Sequence, residues 1–300
     1  MAKIKITCDS TCDLTPELYK RFDLEVLPLE VTLGDRVCHD GVDVTTGELY
    51  DYAQKTGTLP KTSAVSVGTY EDCFRRWTGE GYDVIHINIS NKLSACYQNA
   101  CIAAEGMDNV FVVDSLNLSS GSGQLAMAAA EMAAEGMEAR DIADKLKEMR
   151  TRLDVSFVLQ TLEYLHKGGR CSGVAALGAN LLKLRPEIVV GSDGAMTVGR
   201  KYRGNMEKTV LDYIRGRLEG NDNVVPGRIM ITHTDMPREI VDKAEELVKS
   251  LHPFQEICVT SAGSTAATVS SLASPYSTCG SSTGGMGGGG MPSGGGRGGR

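Results

Sequence analysis

Four short stretches of the chain concentrate hydroxyl side chains where they could act together: "CDSTCDL" (8–14), "KTSAVS" (61–66), "ISNKLSA" (89–95) and "VDSLNLSSGSG" (113–123). Ser and Thr hydroxyls suit anion recognition, and the free N–H groups and dipole of a helix N-terminus add to it. The segment "INISNKLSACYQNA" (87–100) passes from strand alternation into a helical pattern, with Ser90, Asn91, Lys92 and Ser94 in the loop between. Two anions, a nucleophilic serine and a metal site compete for this pattern. A nucleotide phosphate is poorly served: no G-x-x-x-x-G-K-[ST] occurs, no G-x-G-x-x-G opens a helix after a strand, and the glycine-rich run 119–123 has no lysine after it. A serine-dependent acyl hydrolase using Ser94 or Ser119 lacks a G-x-S-x-G elbow. None of the five histidines can be assigned as its base, although a triad assembled in space stays open. Metal-site spacings of His and Cys are absent. A carboxylate needs no base, metal or P-loop lysine, and it matches both what is present and what is missing.

The elements that must position these groups alternate. Strand patterns at "KIKITCDS", "DVIHINIS" and "NVFVVDS" are separated by helical stretches. Among the latter are "TPELYKRF", opened by Thr15 and Pro16, and "TTGELYDYAQKTG", capped by Thr46 and closed by Gly57. This alternation predicts a parallel sheet flanked by helices over residues 1–154, with the hydroxyl loops collected at its carboxyl edge. Residues 155–271 read as a second, smaller mixed α/β unit, with helical patterns at 161–169 and 170–184 and an Asp193-Gly194 hairpin signal. After Gly263 the chain is mostly Ser, Thr and Gly with hardly an apolar anchor, and twelve of its 35 glycines lie in the last 21 residues. So little apolar surface predicts a disordered tail over 272–300. The expectation is therefore two α/β domains, a ligand pocket between them, and a solvated end.

Composition narrows the partners. A formal charge of −7 argues against nucleic acid, and only Arg297 and Arg300 charge the RGG-like end. No run is long enough for a membrane span, and "MAKIKITCDS" enters a strand with no signal-peptide core. The nine cysteines show no C-x-x-C pair and read as reduced thiols, which places the expected location in the cytoplasm.

Six motifs together resemble the DegV family: "DSTCDL" (9–14), "KTSAVS" (61–66), "ISNKLSACYQNA" (89–100), "VVDSLNLSSGSG" (112–123), "LEYLHKGGRCS" (162–172) and "GRKYRG" (199–204). The resemblance spans residues 3 to 263. It implies a two-domain lipid-binding protein, not an enzyme, with no cofactor. Such a protein holds a long-chain fatty acid in a closed pocket and presents its carboxylate to a separate fatty acid kinase. Thr62, with Ser63 beside it, and Ser94 match the family's carboxylate ligands. Arg170 and Arg203 match arginines at the pocket mouth, where the kinase docks. A lipid carrier or sensor with no kinase partner is the nearest variant.

Three departures from the family pattern stand out. Ala95 and Cys96 replace a glycine and a threonine after Ser94, and Val65 replaces a proline. Leu272 falls where the family has a histidine that also contacts the carboxylate, which leaves the closing strand and that third ligand in question.

Overall fold

A computed structural model describes residues 3–159, 165, 169–171, 185–263 and 277–280. The chain starts with β1 (Lys3–Asp9), a 3-10 turn (Ser10–Cys12), α1 (Pro16–Arg21), β2 (Glu25–Leu27), β3 (Glu30–Leu33) and β4 (Arg36–His39). Then follow α2 (Thr46–Thr56), β5 (Lys61–Ser63), α3 (Val67–Gly79), β6 (Tyr82–Asn88), α4 (Cys96–Ala103), β7 (Val110–Asp114), α5 (Ser120–Ala134) and α6 (Ala139–Met149). Strands β2, β1, β6 and β7 lie side by side in that order, all parallel. With helices against it, the sheet buries its strands on both faces, which is why Ile6, Cys8, Val84, Ile85 and Ile87 are almost wholly enclosed.

Local chemistry sets the helix ends. The Thr15 hydroxyl accepts from the Leu18 N–H, and Pro16 takes the first helical position, where its missing N–H costs nothing. At α2 the cap is Thr45, one residue before the threonine expected from sequence. Glu48 closes a capping box on it, and Gly57 ends the helix at a φ of 66°. Gly123 solves a different problem. A Cβ there would lie 2.7 Å from the Cys12 carbonyl oxygen, so a glycine is needed for α5 to press against the turn after β1.

One small sheet was not foreseen. Strands β4, β3 and β5 form an antiparallel trio, with Thr62 paired to Val31. Lys61–Ser63 is thus strand rather than loop; three residues are too few to show alternation.

The second sheet begins with β8 (Asp154–Val158), β9 (Arg185–Val190) and β10 (Met196–Tyr202). It continues through α7 (Met206–Leu218), β11 (Arg228–His233), α8 (Arg238–Leu251) and β12 (Glu256–Ser261), and ends with β13 (Ser277–Gly280). Its order is β10-β9-β8-β13-β11-β12, with β11 and β12 parallel and the other pairs antiparallel. The Asp193-Gly194 turn joins β9 to β10 as the sequence suggests. The helical patterns expected at 161–169 and 170–184 fall largely outside the described residues.

Strand β13 corrects the tail expectation. Residues 277–280, inside the stretch read as a solvated end, run between β8 and β11: Cys279 pairs with Val155 on one side and Met230 on the other. Main-chain ladder bonds do not depend on side-chain type, so apolar patterning carried no sign of this strand. The closing strand questioned on sequence grounds is present.

The two halves are tied at several points. The Ser90 hydroxyl donates to the Gly194 carbonyl at 2.9 Å, and the Gly263 N–H donates to Asp13 Oδ1 at 2.7 Å. Arg228 on β11 reaches Glu131 on α5 as well as Glu256, and Arg21 on α1 meets Glu256 at 2.7 Å.

Candidate functional site

The loops after β1, β6 and β7 meet at the carboxyl edge of the parallel sheet, as the alternating pattern requires. There a cavity of about 230 Å³ is lined by Thr62, Ser63, Ser94 and Arg170 among its polar residues. Its apolar wall includes Leu29, Ile89, Leu93 and Leu118 from the first half of the chain and Met196 from β10. Four of the five residues singled out from sequence therefore share one cavity between the two sheets. Arg203 does not line it; it is exposed in the turn that follows β10. A larger hollow of about 630 Å³ opens at the opposite end of the parallel sheet, near Lys3, Phe22 and Met137. It has none of the hydroxyl loops, so size alone does not locate the site. Leu272 lies outside the described residues.

The polar groups arrive from separate parts of the chain. Thr62 and Ser63 come from β5, held by β3. Ser94 stands two residues before α4, where its hydroxyl accepts from the Cys96 N–H at 3.3 Å and donates to Cys96 Sγ at 3.1 Å. It is a helix-terminal serine as well as a pocket residue, so capping and ligand binding are compatible roles. Burial, aided by the negative charge of Asp9, pushes the Cys96 thiol up to about 12, so it stays protonated. Among the described residues, neither Ser94 nor Ser119 has a hydrogen bond to a histidine. Ser119 donates instead to Asp13 at 2.5 Å, and the His86 ring is enclosed against Thr7, Asp9 and Asn88.

Two buried aspartates beneath the cavity escaped the sequence analysis. Asp9, at the end of β1, accepts from the Tyr70 phenol at 2.6 Å, from the Ile89 N–H at 3.0 Å and from the Asn88 amide. Asp13, at φ 50° after the 3-10 turn, accepts from Ser119 and Gly263. Burial, with the charge of Asp40 adding, raises its carboxyl from 3.8 to about 7. The Asp40 carboxylate in turn receives the Ser10 hydroxyl, which itself accepts from the Leu29 N–H. Both acids stand in "CDSTCDL", quoted for its hydroxyls. Acids set among residues that read as core, Cys8, Cys12 and Leu14, were the available signal.

Among the described residues no group of three or more His, Cys, Asp and Glu side chains is placed to hold a metal ion. No described helix is long and apolar enough to cross a membrane.

Comparison with known proteins decides the family. A family model described as "Uncharacterised protein, DegV family" matches residues 3–271. The chain belongs to the DegV family. A DegV domain-containing protein of Clostridium acetobutylicum is 38% identical over 219 residues, covering 72% of this chain and 78% of that one. A DegV family protein of Thermus thermophilus, solved as a fatty-acid-binding protein, superposes with a TM-score of 0.83 at 28% identity, covering 94% of this chain and all of that one. A stearic-acid-binding protein of Eubacterium ventriosum gives a TM-score of 0.80 at 25% identity, with 94% and 98% covered. The fold of this chain is thus a DegV fold.

Proposed function

We propose that this DegV protein binds a long-chain fatty acid in the cavity between its two sheets and hands the carboxylate to a fatty acid kinase, without being an enzyme itself. One observation carries the reading: Thr62, Ser63, Ser94 and the cationic Arg170 converge on one cavity whose remaining wall is apolar. The fatty-acid ligands of the Thermus and Eubacterium relatives support it. Burying a chain of about 16 carbons contributes on the order of 12 kcal/mol gross, at about 0.8 kcal/mol per CH₂. Hydrogen bonds to a charged head contribute about 1–3 kcal/mol each. The tail therefore sets affinity, and the hydroxyls set which end faces the mouth. Arg203, exposed and outside the cavity, is assigned to the docking surface for the kinase, and the protein works in the cytoplasm with no cofactor.

Mass spectrometry of an organic extract of the purified protein tests the reading directly, with a stoichiometric fatty acid as the expected result. Thr62→Ala and Ser94→Ala should each weaken binding roughly 10- to 100-fold. Addition of a fatty acid kinase and ATP should then yield acyl phosphate. A folded protein that carries no lipid and releases acid from an acyl ester in a Ser94-dependent way is instead a hydrolase.

A further inference from the structure

The two hydroxyl arms of the cavity belong to different parts of the fold. Thr62 and Ser63 sit on β5, whose chain runs directly through Ser66, the N-cap of α3, into that helix. Ser94 hangs from the loop that leaves β6 at Ile89. Two links hold one arm against the other: the Asn99 amide on α4 donates to the Val65 carbonyl at 2.8 Å, and a buried carboxylate bridges the arms from below. Asp9 is fully buried; its Oδ1 takes the phenol of Tyr70, in the first turns of α3, and its Oδ2 takes the N–H of Ile89. Burial and the charge of Asp9 hold the Tyr70 phenol far above its ordinary value, so it remains a donor. Asn88 adds its amide to both Asp9 and the phenol oxygen, and the ring of His86 packs edge-on to Tyr70 with centroids 5.0 Å apart.

We infer that the buried Asp9–Tyr70 pair is a positioning device that sets the spacing between Thr62 and Ser94, and hence the recognition of a carboxylate head. The inference rests on the proposed function. A carboxylate is read by directional hydrogen bonds, which tolerate little displacement of their donors, so groups behind the donors tune them. Burial of an acyl tail is non-directional and tolerates such displacement. Loosening Asp9 or Tyr70 should therefore erode the preference for an acid head while leaving tail affinity intact. General destabilisation would weaken both alike.

The experiment compares palmitic acid with hexadecanol, which has the same chain and an uncharged head, on delipidated protein. The wild-type protein should bind the acid at least tenfold more tightly. Tyr70→Phe, which removes only the phenol oxygen, should cut that ratio about three- to tenfold with hexadecanol binding changed less than twofold. In a Ser94→Ala background the same change should add little, since its effect runs through the hydroxyl already lost. Asp9→Asn, which keeps the side-chain shape, carries the same expectation and stands in should Tyr70→Phe fail to fold. A wild-type preference that survives both variants, or parallel loss of acid and alcohol binding, overturns the positioning role alone. A wild-type protein that does not distinguish acid from alcohol overturns the fatty-acid reading and the positioning role with it.

Discussion

The two sheets of this protein are held together by different parts of the chain. In the four-stranded sheet, side chains do the selecting: β1 and β6 bury Ile6, Cys8, Ile85 and Ile87, and apolar residues at alternate positions announce them as strands. In the six-stranded sheet, β8 and β11 are apolar in the same way, with Val155, Phe157, Ile229 and Met230 buried, yet the strand between them reads Ser-Thr-Cys-Gly. It is flanked on both sides by antiparallel partners. A strand that enters between two existing neighbours can be held by its main chain, whereas a strand that must find its own place needs apolar side chains to specify it.

Removing that strand is the severest way to break the comparison. A chain ending at Tyr276 loses the ladder on both sides of β13, worth on the order of 5 kcal/mol in net hydrogen bonds, and leaves β8 and β11 each with one open edge. Its melting temperature should fall by about 10 °C or more. A chain ending at Gly280 keeps the strand and should unfold cooperatively near the wild-type midpoint. Circular dichroism melts of the two truncations check this, and equal midpoints would refute the role given to the main chain.

The same contrast explains how much was legible beforehand. The alternating strands, the Asp193-Gly194 hairpin and the carboxyl-edge loops all depend on residue type and were visible. So were Thr62, Ser63, Ser94 and Arg170, because hydroxyl clusters beside a helix start are a pattern of types and because they match DegV motifs. What escaped depends on partners far along the chain. Asp9 is explained by Tyr70 and Ile89, Asp13 by Ser119 and Gly263, and β5 by its pairing with β3. Burial of a polar group becomes intelligible only once the groups that satisfy it are placed beside it.

The remaining predictions sharpen the comparison at the ties between its two sides. Asp13, which receives the Gly263 N–H from beyond β12, has a carboxyl raised from 3.8 to about 7. A raised acid binds its proton more tightly in the folded state. Its contribution is fully present below about pH 4 and is lost as pH rises through about 7, a span worth a few kcal/mol. Asp40 is the neighbouring charge that adds to the shift. Asp13→Asn should flatten the decline in urea midpoint between pH 5 and pH 8, and an unchanged slope would remove Asp13 as its source.

A smaller effect is expected at the hairpin tip. Gly194 stands at φ +82°, and a Cβ there would fall against the Ser90 hydroxyl and within 3.0 Å of the Leu116 backbone. Gly194→Ala should cost about 1–3 kcal/mol and disturb the loop that carries Ser94, which denaturation and acyl-binding titrations would read separately. The smallest effect belongs to the Arg21–Glu256 pair, whose arginine is mostly exposed. Arg21→Ala should change stability by less than about 1 kcal/mol, and less still in high salt, as measured by denaturation at two ionic strengths.

The position of β13 also orders events during synthesis. Every other strand of its sheet leaves the ribosome earlier, β8 by more than a hundred residues. Until Ser277–Gly280 arrives, the edges of β8 and β11 that will receive it stay open, while the parallel sheet, complete once β7 is made, can already have formed. The interval in which the six-stranded sheet lacks its centre is the period when this chain is most exposed to pairing with another copy, so its risk of misassembly falls late in translation.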